Sequence, residues 1–367
     1  MSRVHALLAV IGRNLRIARR RPDLIVQTVA VPMVVLGLAS IIFGATDAWP
    51  TALTDGDDTA ASRQVVRALQ DTHGSRGPYY ALSRTSEGAA SELVRSGRGQ
   101  LSVHVPPGFA EDQTLRVTTY NINTDAMKNV RLRLVATANL YDDRAGHQQL
   151  HATITKARPV DVSRTAFMGG SAIILALLLG STLIAANLFA MEQEIRTTKE
   201  LVLTPLGAGI GAAGAAAAAI VLAVLTAVPT GLMALAFGFR AGAGELLRFA
   251  AILVPAMIAA GGLGVLLAQL LRTHRAIQPI VILASLGTYF AAGGFIPVPG
   301  LPPAARGFSA WWPPSYVFEW ANPQVHSFAT NLRTPHLAAL LAAACVGAAL
   351  AGLGGAREAR RRGHGGQ

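Results

Sequence analysis

Glu192, Glu194, Arg196, Lys199 and Glu200 crowd into the stretch MEQEIRTTKELVLTPLG, residues 191–207, on a helical pattern that stops at Leu203-Thr204-Pro205. A short helix with fixed charges can sit in a groove of a partner and transmit a rigid displacement to the elements on either side. Proline cannot continue the hydrogen-bonded ladder, so Pro205 ends such a helix. The competing reading is a solvated charged loop.

Other chemistry is sparse. His147 and His151 share a helical face at i, i+4 and could offer two metal ligands, but no third ligand is evident. No G-x-S-x-G or H-E-x-x-H stretch occurs, and no catalytic residue is assigned. A phosphate-cradling P-loop needs a Gly-Lys pair, whereas Lys128, Lys156 and Lys199 follow Met127, Thr155 and Thr198. The chain is therefore expected to bind no cofactor itself. Any ATP-driven work requires a separate ATPase carrying the ATP and Mg.

The elements that hold these residues are apolar. Of 367 residues 51% are hydrophobic and 14% charged, and the mean hydropathy is +0.40, too apolar for a soluble domain of this length. A bilayer core about 30 Å thick takes roughly 20 helical residues. Six runs meet that test, near 24–44, 166–190, 209–237, 247–271, 277–296 and 336–354. Away from their ends these runs carry no Asp, Glu, Lys or Arg. Ion-coupled transporters need such groups at mid-depth, so a secondary transporter is disfavoured, as is an intramembrane hydrolase or a redox protein.

The net charge of +12 would suit nucleic acid, but its placement follows membrane topology instead. Segments 1–21, 191–207, 272–278 and 355–367 hold 14 of the 32 basic residues, against three (Arg240, Arg306, Arg333) in the short loops 238–246 and 297–335. The positive-inside rule then predicts both termini inside. Trp49, Trp311, Trp312 and Trp320 fall just beyond the outer ends of predicted spans, where amphipathic rings favour the interface. The basic stretch RNLRIARRRPD runs into a full-length apolar segment and reads as a signal anchor that is retained. Cys345, the lone cysteine, permits no intrachain disulfide and reads as a small buried residue.

The expected architecture is an α-helical polytopic membrane protein with six transmembrane helices. Residues 1–22 form an amphipathic interfacial helix, with Val4, Leu7, Leu8, Ile11, Leu15 and Ile17 on its apolar side, and 23–45 the first span. Residues 46–164 are polar and mixed in periodicity. They predict a small α/β extracytoplasmic domain with strands at 50–54, 79–83, 100–105 and 115–121, helices at 58–72 and 86–97, and amphipathic helix within 125–158. Residues 165–355 hold the remaining five spans, a cytoplasmic helix 191–206 and an outer segment 297–335 of short re-entrant helices; 356–367 is a basic tail. The Gly- and Ala-rich run from Gly207 predicts close helix packing.

Several stretches together resemble the type-2 ABC transporter permeases (ABC-2 type), in the subgroup with a large domain after the first helix. MEQEIRTTKELVLTPLG is similar to the family's cytoplasmic segment through Glu192, Glu194, Thr198, Glu200, Leu203, Thr204 and Pro205, with Thr197 where the family usually has glycine. SVHVPPGFAEDQ resembles the family's strand and turn in the outer domain, and GGFIPVPGLPPAARGF its segment before the last span. The resemblance implies a second permease subunit, identical or homologous, and ABC ATPase subunits docked on 191–206, with Lys199 among the coupling residues. ATP-driven motion would expel a substrate taken from the cytoplasm or inner leaflet.

The expected function is thus the permease of an exporter for an amphiphilic drug, antibiotic or lipid-like molecule, in contact with membrane lipid and not nucleic acid. Polysaccharide or heme-type export is a variant of that reading. Ser181, Thr182 and Asn187 could line the path or bond across helices. The alternative is a sensor or scaffold whose outer domain binds a ligand or envelope partner. High Ala, Gly and Arg content points to a GC-rich bacterium and its inner or plasma membrane.

Overall fold

Pro22 has no amide hydrogen with which to extend a helix, and the chain turns there. The first helix, α1 (Arg3–Arg20), ends just before a 3-10 turn (Pro22–Leu24), and α2 (Val26–Phe43) follows. The computed structural model describes residues 3–43, 48–74, 77–95, 101–119, 124–145, 162, 164–194, 209–296, 298, 303–326 and 334–363. Then come β1 (Trp49–Asp55), α3 (Ala60–Asp71), β2 (His73–Gly74), β3 (Gly77–Pro78), β4 (Tyr80–Arg84), α4 (Glu87–Arg95), β5 (Leu101–Val105), α5 (Phe109–Asp112), β6 (Arg116–Thr119) and α6 (Thr124–Ala145). The rest is helical: α7 (Arg164–Glu194), α8 (Gly209–Ala236), α9 (Ala243–Leu271), α10 (His274–Ala291), α11 (Pro303–Trp311), α12 (Pro313–Val325) and α13 (Thr334–Gly363). Two compact units result, Met1–Gly44 with Val162–Gln367, and Ala45–Asp161.

In the helical unit, four helices are long and apolar enough to cross a membrane: α7, α8, α9 and, in α13, Pro335–Leu353. The apolar stretches of α2 (Val26–Ile41) and α10 (Arg275–Ala291) are shorter. At 1.5 Å per residue a helix of 18 residues reaches about 27 Å, just under the hydrocarbon thickness. Of the six expected spans, four are thus long and apolar enough to cross a membrane, and the apolar stretches of α2 and α10 fall short of that length.

α7 is the hub. Its most apolar window is 89% buried, against 22% for α13, because α2, α8, α9, α10 and α12 all pack on it. Small residues allow the approach. A methyl group at Gly180 would meet Ala223 of α8, one at Gly264 of α9 would meet the carbonyl of Thr182, and one at Gly262 would collide with the backbone of Gly347 in α13. α2 buries Thr28, Pro32, Leu36 and Ser40, a stripe of every fourth residue, while Val34, Leu38 and Ile41 stay exposed. α8 likewise exposes Val221, Val224, Leu225, Val228, Leu232 and Leu235, an outward apolar face that suits lipid and not water. Cys345 is exposed on α13, contrary to the expectation of a buried residue, because that helix packs through its glycine side.

α1 buries its small residues most deeply, with Ile11, Leu15 and Ile17 partly buried beside them. Ala6, Val10, Asn14 and Ala18 form its buried stripe, packed on α8 with Val10 against Gly214, whereas Val4 and Leu8 are exposed. The smaller residues win the protein contact because they let the backbones approach, leaving larger apolar groups for an interface.

The second unit is built on a sheet of order β4-β1-β5-β6, with β1 parallel to β4 and β5, and β6 antiparallel to β5. Helices α3 and α4 make the crossovers between the parallel strands, as βαβ geometry requires. Leu53, Val65, Val66, Leu69, Leu101, Val103, Val105 and Phe109 form its core, joined by Val130 and Tyr141 of α6. Thr59 caps α3 by accepting from the Ser62 amide at 3.2 Å, and the Ser62 hydroxyl accepts from the Thr59 amide at 3.0 Å. The four expected strands appear within one or two residues of their sequence boundaries. The β5–α5 turn needs Gly108, whose φ of 84° is open to glycine and costly for other residues.

Candidate functional site

The sequence-assigned coupling residues reach the described structure only at the end of α7. Glu192 and Glu194 lie in its last turn, whereas Thr198, Lys199, Glu200, Leu203, Thr204 and Pro205 lie outside the described residues, as do His147 and His151. The environment of Glu192 is nonetheless specific. Its carboxylate is almost wholly buried and paired with the Arg13 guanidinium of α1, which also donates to the Asn14 side chain at 3.3 Å. Around it the 3-10 turn is pinned to α7, because the Asn187 amide donates to the Leu24 carbonyl at 3.0 Å. Arg21 closes on Asp23 through two hydrogen bonds of 2.9 and 2.8 Å and lies 4.0 Å from the Met191 sulfur. The hydrogen bond and charge of Asp23 raise the Arg21 pKa above its ordinary value, so the guanidinium stays charged.

A burial of this kind has a clear electrostatic logic. An isolated carboxylate taken out of water is costly, and a paired, hydrogen-bonded one is tolerated. Arg13 sits on α1 because the Ala6–Val10–Asn14–Ala18 stripe seats that helix against α8, bringing position 13 to the end of α7. Sequence reasoning named Glu192 and missed Arg13. The signal was present in the single run of basic residues that contains one member, Arg13, on the side facing the protein.

Elsewhere in the helical unit α7, α9, α10, α12 and α13 line a half-open cavity of about 630 Å³. That volume lies in the usual range for small-molecule sites, about 300–1,000 Å³. Leu175, Leu178 and Thr182 supply the α7 wall, and Ala256, Ala259, Ala260, Leu263 and Leu267 the α9 wall. From α10 come Val281, Ala284, Ser285 and Thr288, which recur at helical spacing on one face. Trp312, Tyr316 and Trp320 contribute aromatic surface, with Ala339, Leu340 and Ala343 from α13. Among the described residues no Asp, Glu, Lys or Arg lines the cavity.

Of the three polar α7 residues considered for a path, Thr182 stands on this wall. Ser181 and Asn187 are fully buried and lie off it, Asn187 holding the 3-10 turn instead. The aromatic wall is braced by its own hydrogen bonds. The Trp312 indole donates to the Thr288 hydroxyl at 2.8 Å, the Tyr316 hydroxyl donates to the Ala310 carbonyl at 2.7 Å, and Trp320 stacks on His336 with centroids 4.7 Å apart. These aromatics come from the 297–335 segment, where two short helices, α11 and α12, stand as the sequence suggested.

Among the described residues no group of three or more His, Cys, Asp or Glu could hold a metal ion. Comparison with curated proteins and with solved structures gives no match. A family model described as ABC-2 family transporter protein matches residues 23–352, which takes in α2, the whole second unit, and the helices through the apolar part of α13. Glu192 and the cavity lie within that match, whereas Arg13 and Arg21 precede it. The chain is a membrane-embedded member of the ABC-2 transporter family, whose proteins are the transmembrane subunits of ABC transporters and not themselves the catalysts.

Proposed function

We propose that the chain is the permease subunit of an ATP-driven exporter that moves an amphiphilic drug, antibiotic or lipid-like molecule out of a bacterial cell. The observation that carries this reading is the family match across residues 23–352. Six helices cross the plasma membrane with both termini inside: α2, α7, α8, α9, α10 and α13. The 45–161 unit faces outward, and two permease subunits assemble with two ABC ATPases. Residues 191–206 form the coupling helix, and Glu194 and the residues through Pro205 dock the ATPase, whereas Glu192, buried against Arg13, ties that end of α7 to α1 instead. The uncharged cavity supports an apolar cargo, since a buried charge on the ligand would find no counter-charge there.

The test is co-purification from a tagged chain with the ATPase encoded beside its gene, followed by ATP hydrolysis measured with and without amphiphilic compounds. Stable association and stimulated hydrolysis are expected, both weakened by replacing Leu201 to Pro205 as a block. A chain that captures no ATPase, while its outer unit binds a ligand or envelope partner, would leave the sensor or scaffold reading instead.

A further inference from the structure

The cavity wall carries four side-chain hydroxyls: Thr182, Ser285, Thr288 and Tyr316. Three are spent inside the protein. Thr182 donates to the Leu178 carbonyl at 2.9 Å, and Thr288 donates to the Ala284 carbonyl at 2.8 Å while accepting from Trp312. Tyr316 donates to the Ala310 carbonyl. Ser285, one turn from Thr288 on α10, makes no hydrogen bond among the described residues. A helix-borne serine can satisfy itself on the carbonyl four residues back, as Thr182 and Thr288 do on theirs, so a wall hydroxyl without that bond is available to a ligand.

We propose that this cavity binds the hydrocarbon body of a neutral lipophile within a single chain, with the Ser285 hydroxyl meeting its one hydrogen-bonding group. The ligand class is a lipid-like alcohol or amide. A second hydrogen-bond acceptor on the buried part of the ligand would lose its water and find the protons of the other three hydroxyls committed, which disfavours polyhydroxylated cargo such as sugars. Trp312 and Trp320 offer faces on which an alkyl chain or ring system can lie. The assignment rests on the exporter reading for its biological meaning, whereas the binding itself needs neither ATPase nor transport.

The experiment uses the full chain in nanodiscs of saturated phosphatidylcholine with two probes, a dodecanol and a dodecane that carry the same photoreactive diazirine. Cross-linked peptides are mapped by mass spectrometry as a function of probe concentration. Labelling is expected on α9, α10 and α12, with saturation. Ser285→Ala, which removes no intramolecular bond, should weaken the alcohol roughly three- to tenfold, the range for one neutral hydrogen bond, and leave the alkane unchanged. Ala260→Phe, which fills the cavity, should weaken both. Saturable labelling that Ser285→Ala reduces equally for the two probes, or reduces for neither, overturns the role of Ser285. Non-saturating labelling spread over the lipid-facing α8 positions Val224 and Leu232 overturns the cavity as a site. Labelling as expected from a chain that captures no ATPase would sustain the binding site and sink the exporter.

Discussion

The guanidinium of Arg13 and the carboxylate of Glu192, 179 positions apart, form an ion pair that ties α1 to the end of α7. The carboxylate is 2% exposed and the guanidinium 31%. Removing one partner from such a pair leaves a buried charge, which costs several kcal/mol when burial is complete. With Arg13 partly solvated, Arg13→Ala should destabilise the chain by about 2–3 kcal/mol. Glu192→Gln should cost less, because the charge it leaves unpaired is the Arg13 guanidinium, 31% exposed and partly solvated, and not the buried carboxylate. A double-mutant cycle on thermal unfolding in detergent checks this, and strictly additive single effects would mean that the two side chains do not interact.

Helix crossings at glycine should be the least tolerant positions of the helical unit. Gly262→Val places a branched side chain against the backbone of Gly347, with no flexible neighbour to yield. A loss of at least about 2 kcal/mol is expected from overpacking, seen as a lower melting temperature. Gly287→Ala, on α10 with open space around it, is the control and should melt at or slightly above the unaltered temperature, since alanine favours a helix interior over glycine.

Within the second unit, Asp57 holds two loops together. Its carboxylate accepts from the Thr59 hydroxyl and from the amide of Gly108 at 2.8 Å. The Thr59 bond first, then the amides of Gly108, Phe109 and Ala110, hold its pKa below the ordinary carboxylate value. A depressed folded-state pKa adds stability above the unfolded-state value, near 3.9, and that stability is lost as pH falls through the folded-state pKa. Asp57→Asn should therefore speed hydrogen exchange of the β5 amides at pH 7, and the difference from the unaltered chain should shrink below pH 4.

Phe109 follows Gly108 and fills the core of the same unit, 1% exposed and edge-on to Tyr141 at 6.1 Å. Phe109→Ala should cost about 3–5 kcal/mol, the usual range for a buried aromatic. Gly108→Ala should cost about 1 kcal/mol through φ strain alone, since nothing stands within 4 Å of a methyl group there. Limited proteolysis of the full chain across a denaturant series ranks the two, and equal losses would contradict the assignment.

Which parts were readable from sequence follows from range of interaction. The apolar runs located α2, α7, α8, α9, α10 and α13, since each helix is set by its own residues, and alternating patterns located the strands of the second unit. The Pro-Pro-Gly-Phe turn was readable because a glycine and a following aromatic carry local instructions. Pairings were not. Arg13 meets Glu192, and Asn187 meets Leu24, only after helices distant in sequence have packed. The cavity was hidden for the same reason: five helices each supply a few alanines, leucines or aromatics that look like ordinary span residues. On α1 the deepest burial falls to Ala6, Val10, Asn14 and Ala18, since apolarity marks what avoids water, while small size marks what touches protein.

The enclosure of α7 has a consequence for biosynthesis. Of the helices that cover it, only α2 precedes it in the chain, while α8, α9, α10 and α12 are all made later. During synthesis α7 must therefore wait in the bilayer with Ser171, Ser181 and much of its small-residue surface uncovered, held by α2, the 3-10 turn and the Asn187–Leu24 bond. Nascent chains cut between α7 and α8 should be short-lived, and those extended through α9 should be the first to resist degradation.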